Sequence, residues 1–327
     1  MKLYNKKEAI ERINLLAGTH KAFLFIIDYE QNESYIEETA DVDPAILLYN
    51  MNGVTNSVGE ELDSPKEVYW KTNPIPYSQY EHSFDIVWKN IHAGNSFLTN
   101  LTCRTPIETN LTIKEVFHRS HAPYKLWMKD RFVVFSPEIF VRIQNRVISS
   151  YPMKGTMDAK NPFAEQQLLN DKKEAAEHAT IVDLIRNDLS IVAENVSVNR
   201  YRYVDCIRTN QGEILQTSSE ISGRLPETFE QSLGDILFRL LPAGSITGAP
   251  KRKTTEIIKQ AENYKRGFYT GIVGYFDGYN LDSAVMIRFI EQEGHQLFFK
   301  SGGGITSRSE ARNEYNEMNQ KVYVPIY

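Results

Sequence analysis

The chain has 327 residues, 41% of them apolar, which is enough for a large core in one big domain or in one with a small appendage. A net charge of −5 at pH 7 points away from nucleic acid and from anionic membrane as partners. The two cysteines, Cys103 and Cys206, are far apart and lack metal-ligand spacing, so free thiols in a reducing compartment are expected.

At the N-terminus, residues 1–8 lack the apolar run of a signal peptide. No later stretch approaches the ~20 apolar residues of a membrane span. A soluble cytoplasmic protein is therefore expected. Residues 6–17 read as a short amphipathic helix, with Ile10, Ile13 and Leu16 on its apolar side. Residues 22–27 read as a buried strand and 45–49 as a second one. Residues 50–76 are rich in Asn, Ser, Gly and Pro and read as loops at a sub-domain seam. A helix follows with Tyr80, Phe84, Val87, Trp88 and Ile91 on one face, and it ends at Gly94-Asn95. That aromatic stripe reads as core rather than as a cofactor box.

Residues 96–102, 125–128 and 132–135 read as strands. Residues 140–143 and 146–149 form a hairpin around Gln144-Asn145. The hairpin brings Glu138, just before its first strand, to the same end as Lys154, just after its second. Lys154 lies between Pro152, which fixes the approach of the strand, and Gly155, which leaves room for a ligand. By itself such a lysine is more often solvated or held in a surface ion pair. The longest helical stretch is 163–190, where Glu174 and Glu177 share a face. The same segment also describes a solvated helix face. Strands at 201–208 and 213–223 and a helix at 228–240 come next. The loop 241–251 is rich in Gly and Pro and opens a helix at 252–263, although its spacing fails the phosphate-loop pattern. Strands at 268–276, 283–290 and 296–300 lead to Gly302-Gly303-Gly304, an anion-binding nest or a flexible turn. A closing helix from about Ser309 carries a second pair, Glu314 and Glu317.

Two glutamate pairs on separate helices, two glycine-rich loops, a lysine and a carboxylate at one sheet end, and Arg288 inside an apolar run make a constellation. Carboxylates from separate elements are the usual holders of Mg²⁺. Arginine and exposed backbone N–H groups suit a substrate that is itself a carboxylate. These residues describe a Mg²⁺-dependent enzyme acting on a small polycarboxylate, with a lysine as base or nucleophile.

A series of motifs in order then resembles the chorismate-utilising enzymes, from about residue 77 to the end. It runs Gly94-x-Ser96-Phe97-x-x-Asn100-Leu101, Ser136-Pro137-Glu138, Pro152-Met153-Lys154-Gly155-Thr156 and Asp171-x-Lys173-Glu174-x-x-Glu177-His178. It continues through Val182-Asp183-Leu184-Ile185-Arg186-Asn187-Asp188-Leu189, Ala243-Gly244-Ser245-Ile246-Thr247-Gly248-Ala249-Pro250-Lys251 and Arg266-Gly267-x-Tyr269-x-Gly271. It closes on Gly302-x-Gly304 and Glu314-x-x-Glu317. The resemblance implies an α+β fold of two large, mainly antiparallel sheets packed face to face with helices outside. Residues 1–76 would be a short N-terminal part packed into the same fold, and residues 77–327 the chorismate-binding catalytic domain. The resemblance also implies Mg²⁺ held chiefly by Glu177 and Glu317, with Glu174 and Glu314 beside it. Ser245, Tyr269, Arg288, Gly302 and Gly304 would contact the carboxylates or ring of chorismate, and Gly155 and Thr156 would line the ring.

Within that family, Lys154 is similar to the lysine of the aminodeoxychorismate synthases, where anthranilate synthases usually have alanine. The resemblance implies attack of the lysine at C2 with loss of the C4 hydroxyl, then addition of ammonia at C4 with loss of the lysine. The attacking amine must be neutral, so burial or nearby positive charge is expected to lower its pKa. Glu138 is the implied general acid. The isochorismate branch places a base lysine where Leu98 stands. Leu98 here also replaces a glutamine common in aminating members, and Gln216 stands where anthranilate synthases carry a histidine. Ammonia is expected from a separate glutamine amidotransferase subunit, and release of 4-aminobenzoate from a separate aminodeoxychorismate lyase. Anthranilate synthase component I is the alternative within the family, and a non-catalytic chorismate-binding homologue the alternative outside enzymes.

Overall fold

Short β-branched and aromatic runs separated by polar turns form two sheets, and the described strand pairings are antiparallel. The computed structural model describes residues 1–58, 67–209 and 212–326, without the side chains of residues 156, 173, 207–209 and 212. The first sheet has ten strands, in the order Leu3–Tyr4, Ser34–Glu38, Phe23–Ile27, Ile272–Phe276, Leu281–Val285, Ile139–Gln144, Val147–Ser150, Gly212–Arg224 and Met153–Asp158, with Glu194–Thr209 also pairing on Gly212–Arg224. The second has nine, in the order Gly248–Ala249, Leu98–Thr109, Gln296–Ile305, Phe289–Glu293, Phe132–Ser136, Tyr124–Met128, Leu47–Met51 and Val54–Thr55, with Trp70–Thr72 on Leu98–Thr109.

The sheets pack face to face. Leu24, Ile26, Val273 and Ala284 of the first meet Leu126, Met128, Phe132, Val134 and Phe289 of the second in one buried cluster. Helices Lys6–Gly18, Lys172–Leu189 and Leu233–Leu240 cover the outside of the first sheet with residues such as Ile13, Ile185 and Leu237. Helices Tyr77–His92, Lys251–Ala261 and Ala311–Gln320 cover the second with Phe84, Ile257 and Met318. The expected α+β architecture is the one observed. Strands from the first 76 residues enter both sheets: Phe23–Ile27 pairs with Ile272–Phe276, and Leu47–Met51 with Tyr124–Met128. Among the described residues no helix is long and apolar enough to cross a membrane.

Several local expectations need correction. In helix Tyr77–His92, Trp88 is 38% exposed and stacks on His92 instead of joining Tyr80, Phe84, Val87 and Ile91 in the core. The hairpin turn is Asn145-Arg146, both at positive φ, because Gln144 pairs with Val147. Two left-handed residues are what a two-residue turn between twisted strands requires. The stretch 163–190 is two helices, Ala164–Asn170 and Lys172–Leu189, broken at Asp171. The run 283–290 is two strands in different sheets: the chain leaves the first after Val285 and joins the second at Phe289, with Arg288 at φ 53° in the crossing.

Candidate active site

The crossing from one sheet to the other leaves a cavity of about 450 Å³, a size suited to a small molecule. Its walls come from strands Ile139–Gln144 and Met153–Asp158, helix Lys172–Leu189, the loop around Gly244–Ile246, the crossing at Ile287-Arg288 and strand Gln296–Ile305. Glu138, Lys154, Glu177, Ser245, Tyr269, Arg288, Gly302 and Gly304 all line it. The chain thus brings together residues spread over more than half its length.

Lys154 reaches the cavity from strand Met153–Asp158 of the first sheet, where it pairs with Thr217. Its Nζ lies 2.7 Å from Glu177 Oε2, and the two side chains are 27% and 12% exposed. Burial disfavours the ammonium, but the charge and hydrogen bond of Glu177, with Glu174 and Glu317 further off, outweigh it. The Lys154 pKa is therefore raised, not lowered as the sequence led us to expect. The physical reason is the gathering of three carboxylates from two helices around one amine. Gly155 bulges the strand at φ +76°, and a Cβ there would meet Glu174 Oε2 at 3.3 Å and Leu168 at 3.5 Å. Gly155 therefore backs onto the helices and does not line the cavity as expected. The side chain of Thr156 lies outside the described residues, and its backbone pairs with Gln216.

Glu138 lines the cavity from the residue just before strand Ile139–Gln144. The Ser245 hydroxyl donates to Glu138 Oε1 at 2.5 Å. Burial raises the Glu138 pKa; Ser245 and the charge of Lys321 pull against it. A carboxyl held above its ordinary range can keep a proton to give away. Burial also keeps the Tyr269 phenol protonated. Arg288 donates to the Lys321 carbonyl at 2.7 Å, and its guanidinium lies 4.8 Å from the centre of the Tyr323 ring. At the crossing it stands between strands, lines the cavity and has these partners, so it is not the stranded charge that an intact strand would have made.

Gly302, Gly303 and Gly304 form neither nest nor turn. They are strand residues opposite Thr102, Leu101 and Asn100. A Cβ on Gly302 would come 2.6 Å from Thr102 Cγ2, so glycine here permits close strand approach. The Gly302 carbonyl accepts from Lys321 Nζ at 3.1 Å, and the same amine lies 2.8 Å from Glu317 Oε1. Lys321 was missed in the sequence. Its signal was there: it follows Glu317 by one helical turn, on the same face. Glu314 is buried beneath Gly303, whose Cβ would lie 3.6 Å from Glu314 Oε2.

Other residues support this set. Arg266, 1% exposed, forms a double contact with Glu262 and donates to the carbonyls of Ile246 and Asn100. His178 Nε2 lies 2.6 Å from Ser219 Oγ and fastens the glutamate-bearing helix to the sheet. Burial, helped by Arg202 and Lys154, lowers the His178 pKa to about 4, so the ring is neutral at pH 7. Leu98 lines the cavity, and Gln216 lies outside its lining.

Among the described residues no three His, Cys, Asp or Glu side chains form a ready metal cluster. Glu177 and Glu317 are each held by a lysine ammonium instead. Their oxygens are hard carboxylate donors, the ligand type that suits Mg²⁺.

The family model for chorismate binding enzymes matches residues 4–326. The chain belongs to the chorismate-binding enzyme family. The match begins well before residue 77, where the legible motifs start. An uncharacterized PabA-like protein of Haemophilus influenzae is 49% identical over 317 residues, covering 97% of this chain and 96% of that protein. The aminodeoxychorismate synthase component 1 of Bacillus subtilis is 30% identical over 306 residues, covering 88% of this chain and 63% of that protein. The crystal structure of anthranilate synthase component I from Streptococcus pneumoniae superimposes with a TM-score of 0.67 at 28% identity, over 78% of this chain and 58% of that one. The chain therefore spans about six-tenths of these two longer relatives.

Proposed function

We propose that the protein aminates chorismate at C4, giving 4-amino-4-deoxychorismate and water. The observation that carries this reading is Lys154: a half-buried lysine lining the same cavity as a protonatable Glu138, at the position where, by the resemblance, anthranilate synthases have alanine. Lys154 adds at C2 as electrons shift through the ring and the C4 hydroxyl leaves, protonated by Glu138. Ammonia then adds at C4, loses a proton, and expels the lysine. Arg288 and Lys321 bind the substrate carboxylates, and Tyr269 donates to them. Leu98 favours this reading over isochorismate synthesis, since no lysine stands in that place to activate water.

Glu177 and Glu317 would hold Mg²⁺, with Glu174 and Glu314 behind them, and the cation would screen these charges and polarise a substrate carboxylate. Glu177, if so engaged, would no longer be the partner that raises the Lys154 pKa, and burial would favour the neutral, nucleophilic amine. Ammonia would come from a separate glutamine amidotransferase, and pyruvate would be removed afterwards by a separate lyase. In the folate route this places the protein at an early step.

The test is to incubate the protein with chorismate, Mg²⁺ and ammonium, follow pyruvate, and identify the product by mass. The expected result is chorismate loss without pyruvate and an amino product that a lyase converts to 4-aminobenzoate. Pyruvate released together with 2-aminobenzoate would make it an anthranilate synthase.

A further inference from the structure

Helix Lys172–Leu189 lays one face along the cavity, and each end of that face carries a carboxylate paired with a lysine. Near its start Glu177 holds Lys154. Three turns on, Asp188 Oδ2 lies 2.7 Å from Lys251 Nζ, with side-chain exposures of 13% and 19%. The same Lys251 amine donates to the Leu240 carbonyl at 2.7 Å. Leu240 and Lys251 bracket the loop that carries Ser245. Gly244 in that loop is pressed on the helix: a Cβ there would come 2.9 Å from both Asp188 Oδ2 and Leu184. On its other side the loop is held by Asn100, which donates to the Ile246 carbonyl at 2.9 Å.

The Ser245 hydroxyl that donates to Glu138 is thus clamped between a helix and a strand. We infer that the Asp188–Lys251 pair is a positioning device for the reaction: it fixes the helix bearing Glu177 against the loop bearing Ser245, and so sets Ser245 on Glu138. The inference rests on the proposed role of Glu138. An apolar pair could fill the same volume. An ion pair that also grips a backbone carbonyl admits one register of loop on helix.

The test removes both charges together, as Asp188→Asn with Lys251→Met, so that no single charge is stranded. Hydrogen exchange reads the positioning without any turnover. Amides 243–249 should exchange about ten-fold faster, the strand Leu98–Thr109 remaining unchanged. Chorismate consumption, whatever the product, reads the consequence. Expected is a kcat loss of about ten-fold with KM changed less than about two-fold, since Arg288 and Tyr269 are untouched. In a Ser245→Ala background the same double change should cost less than about two-fold, because its effect passes through Ser245. Unchanged exchange, or losses that simply multiply with Ser245→Ala, would overturn the inference. The expected coupling with a product other than 4-amino-4-deoxychorismate would overturn the proposed function and leave the positioning role standing.

Discussion

The two lysine–carboxylate pairs along helix Lys172–Leu189 share a distance, 2.7 Å, and a similar burial, yet their lysines shift in opposite directions. Burial pulls both amines down. At Lys154 the charges of Glu177, Glu174 and Glu317 reverse that pull, and the pKa ends above its ordinary value. At Lys251 a single partner, Asp188, fails to offset burial, so the amine is lowered and the Asp188 carboxyl is raised. A pair length alone therefore says little about what a buried lysine does. The count of carboxylates around it decides. The first end gathers three carboxylates around one amine, whereas the second pairs one with one, an arrangement suited to holding elements together.

The largest effect should come from breaking the first end. Lys154→Ala should lower C4 amination by about 10³-fold or more, measured as amino product formed from chorismate and ammonium. The same variant should bind Mg²⁺ more tightly, on the order of ten-fold, because the ammonium competing for Glu177 is gone. The rise in Tm with added Mg²⁺ reads this without any activity. A Tm response no larger than that of the wild type would mean that Lys154 and the cation do not share Glu177.

Glu138→Gln should cost about 100-fold in kcat. Its pH behaviour follows from the raised pKa of Glu138. The acid form must be present for the hydroxyl to leave, so wild-type activity should fall as pH rises through that raised value, and this limb should vanish in the variant. Stability carries the same sign. A carboxyl raised on folding binds its proton more tightly in the native state, so its contribution is full below the unfolded pKa and lost as pH rises through the folded one. Glu138→Gln should therefore melt higher than wild type at neutral pH, with the difference shrinking in acid.

At the second end the main readout is stability. Lys251→Met leaves Asp188 buried without its partner and should cost about 3 kcal/mol in urea unfolding. Adding Asp188→Asn should recover most of that loss. A single variant as stable as wild type would show that Asp188 finds water or another donor, and the contrast between the two ends would weaken.

How much of this was legible beforehand depends on whether a signal is local. Helix Tyr77–His92 and the hairpin were visible because apolar spacing and turn residues lie within a few positions of each other, although the turn falls one residue later than Gln144-Asn145. The split at Arg288 was not visible. Both sheets bury apolar residues, so the chain passes from one to the other through Met286 and Ile287 with no polar stretch to mark the crossing. The three glycines from Gly302 looked like a loop because their reason lies in the neighbouring strand, at Thr102. The direction of the Lys154 shift was unreadable for the same cause. Its three carboxylates come from two helices, one of them at the far end of the chain. Asp188 and Lys251 each sit inside a recognisable motif, but nothing in either motif says that they meet.

The smallest effect is also the most discriminating. Arginine keeps the charge of lysine, reaches a similar distance and cannot be deprotonated in a protein. If Lys154 acts as a neutral amine, Lys154→Arg should be as inactive as Lys154→Ala although the ion pair with Glu177 survives. If Lys251 acts as a tether, Lys251→Arg should keep both the bond to Asp188 and a donor for the Leu240 carbonyl. Only the fit of a bulkier head group should cost anything, about two- to five-fold in kcat with KM unchanged. Steady-state rates of the two arginine variants, measured side by side, read the difference. Equal losses would mean that both lysines serve as charges in place. Unequal ones, in the expected order, would separate the lysine that reacts from the lysine that holds.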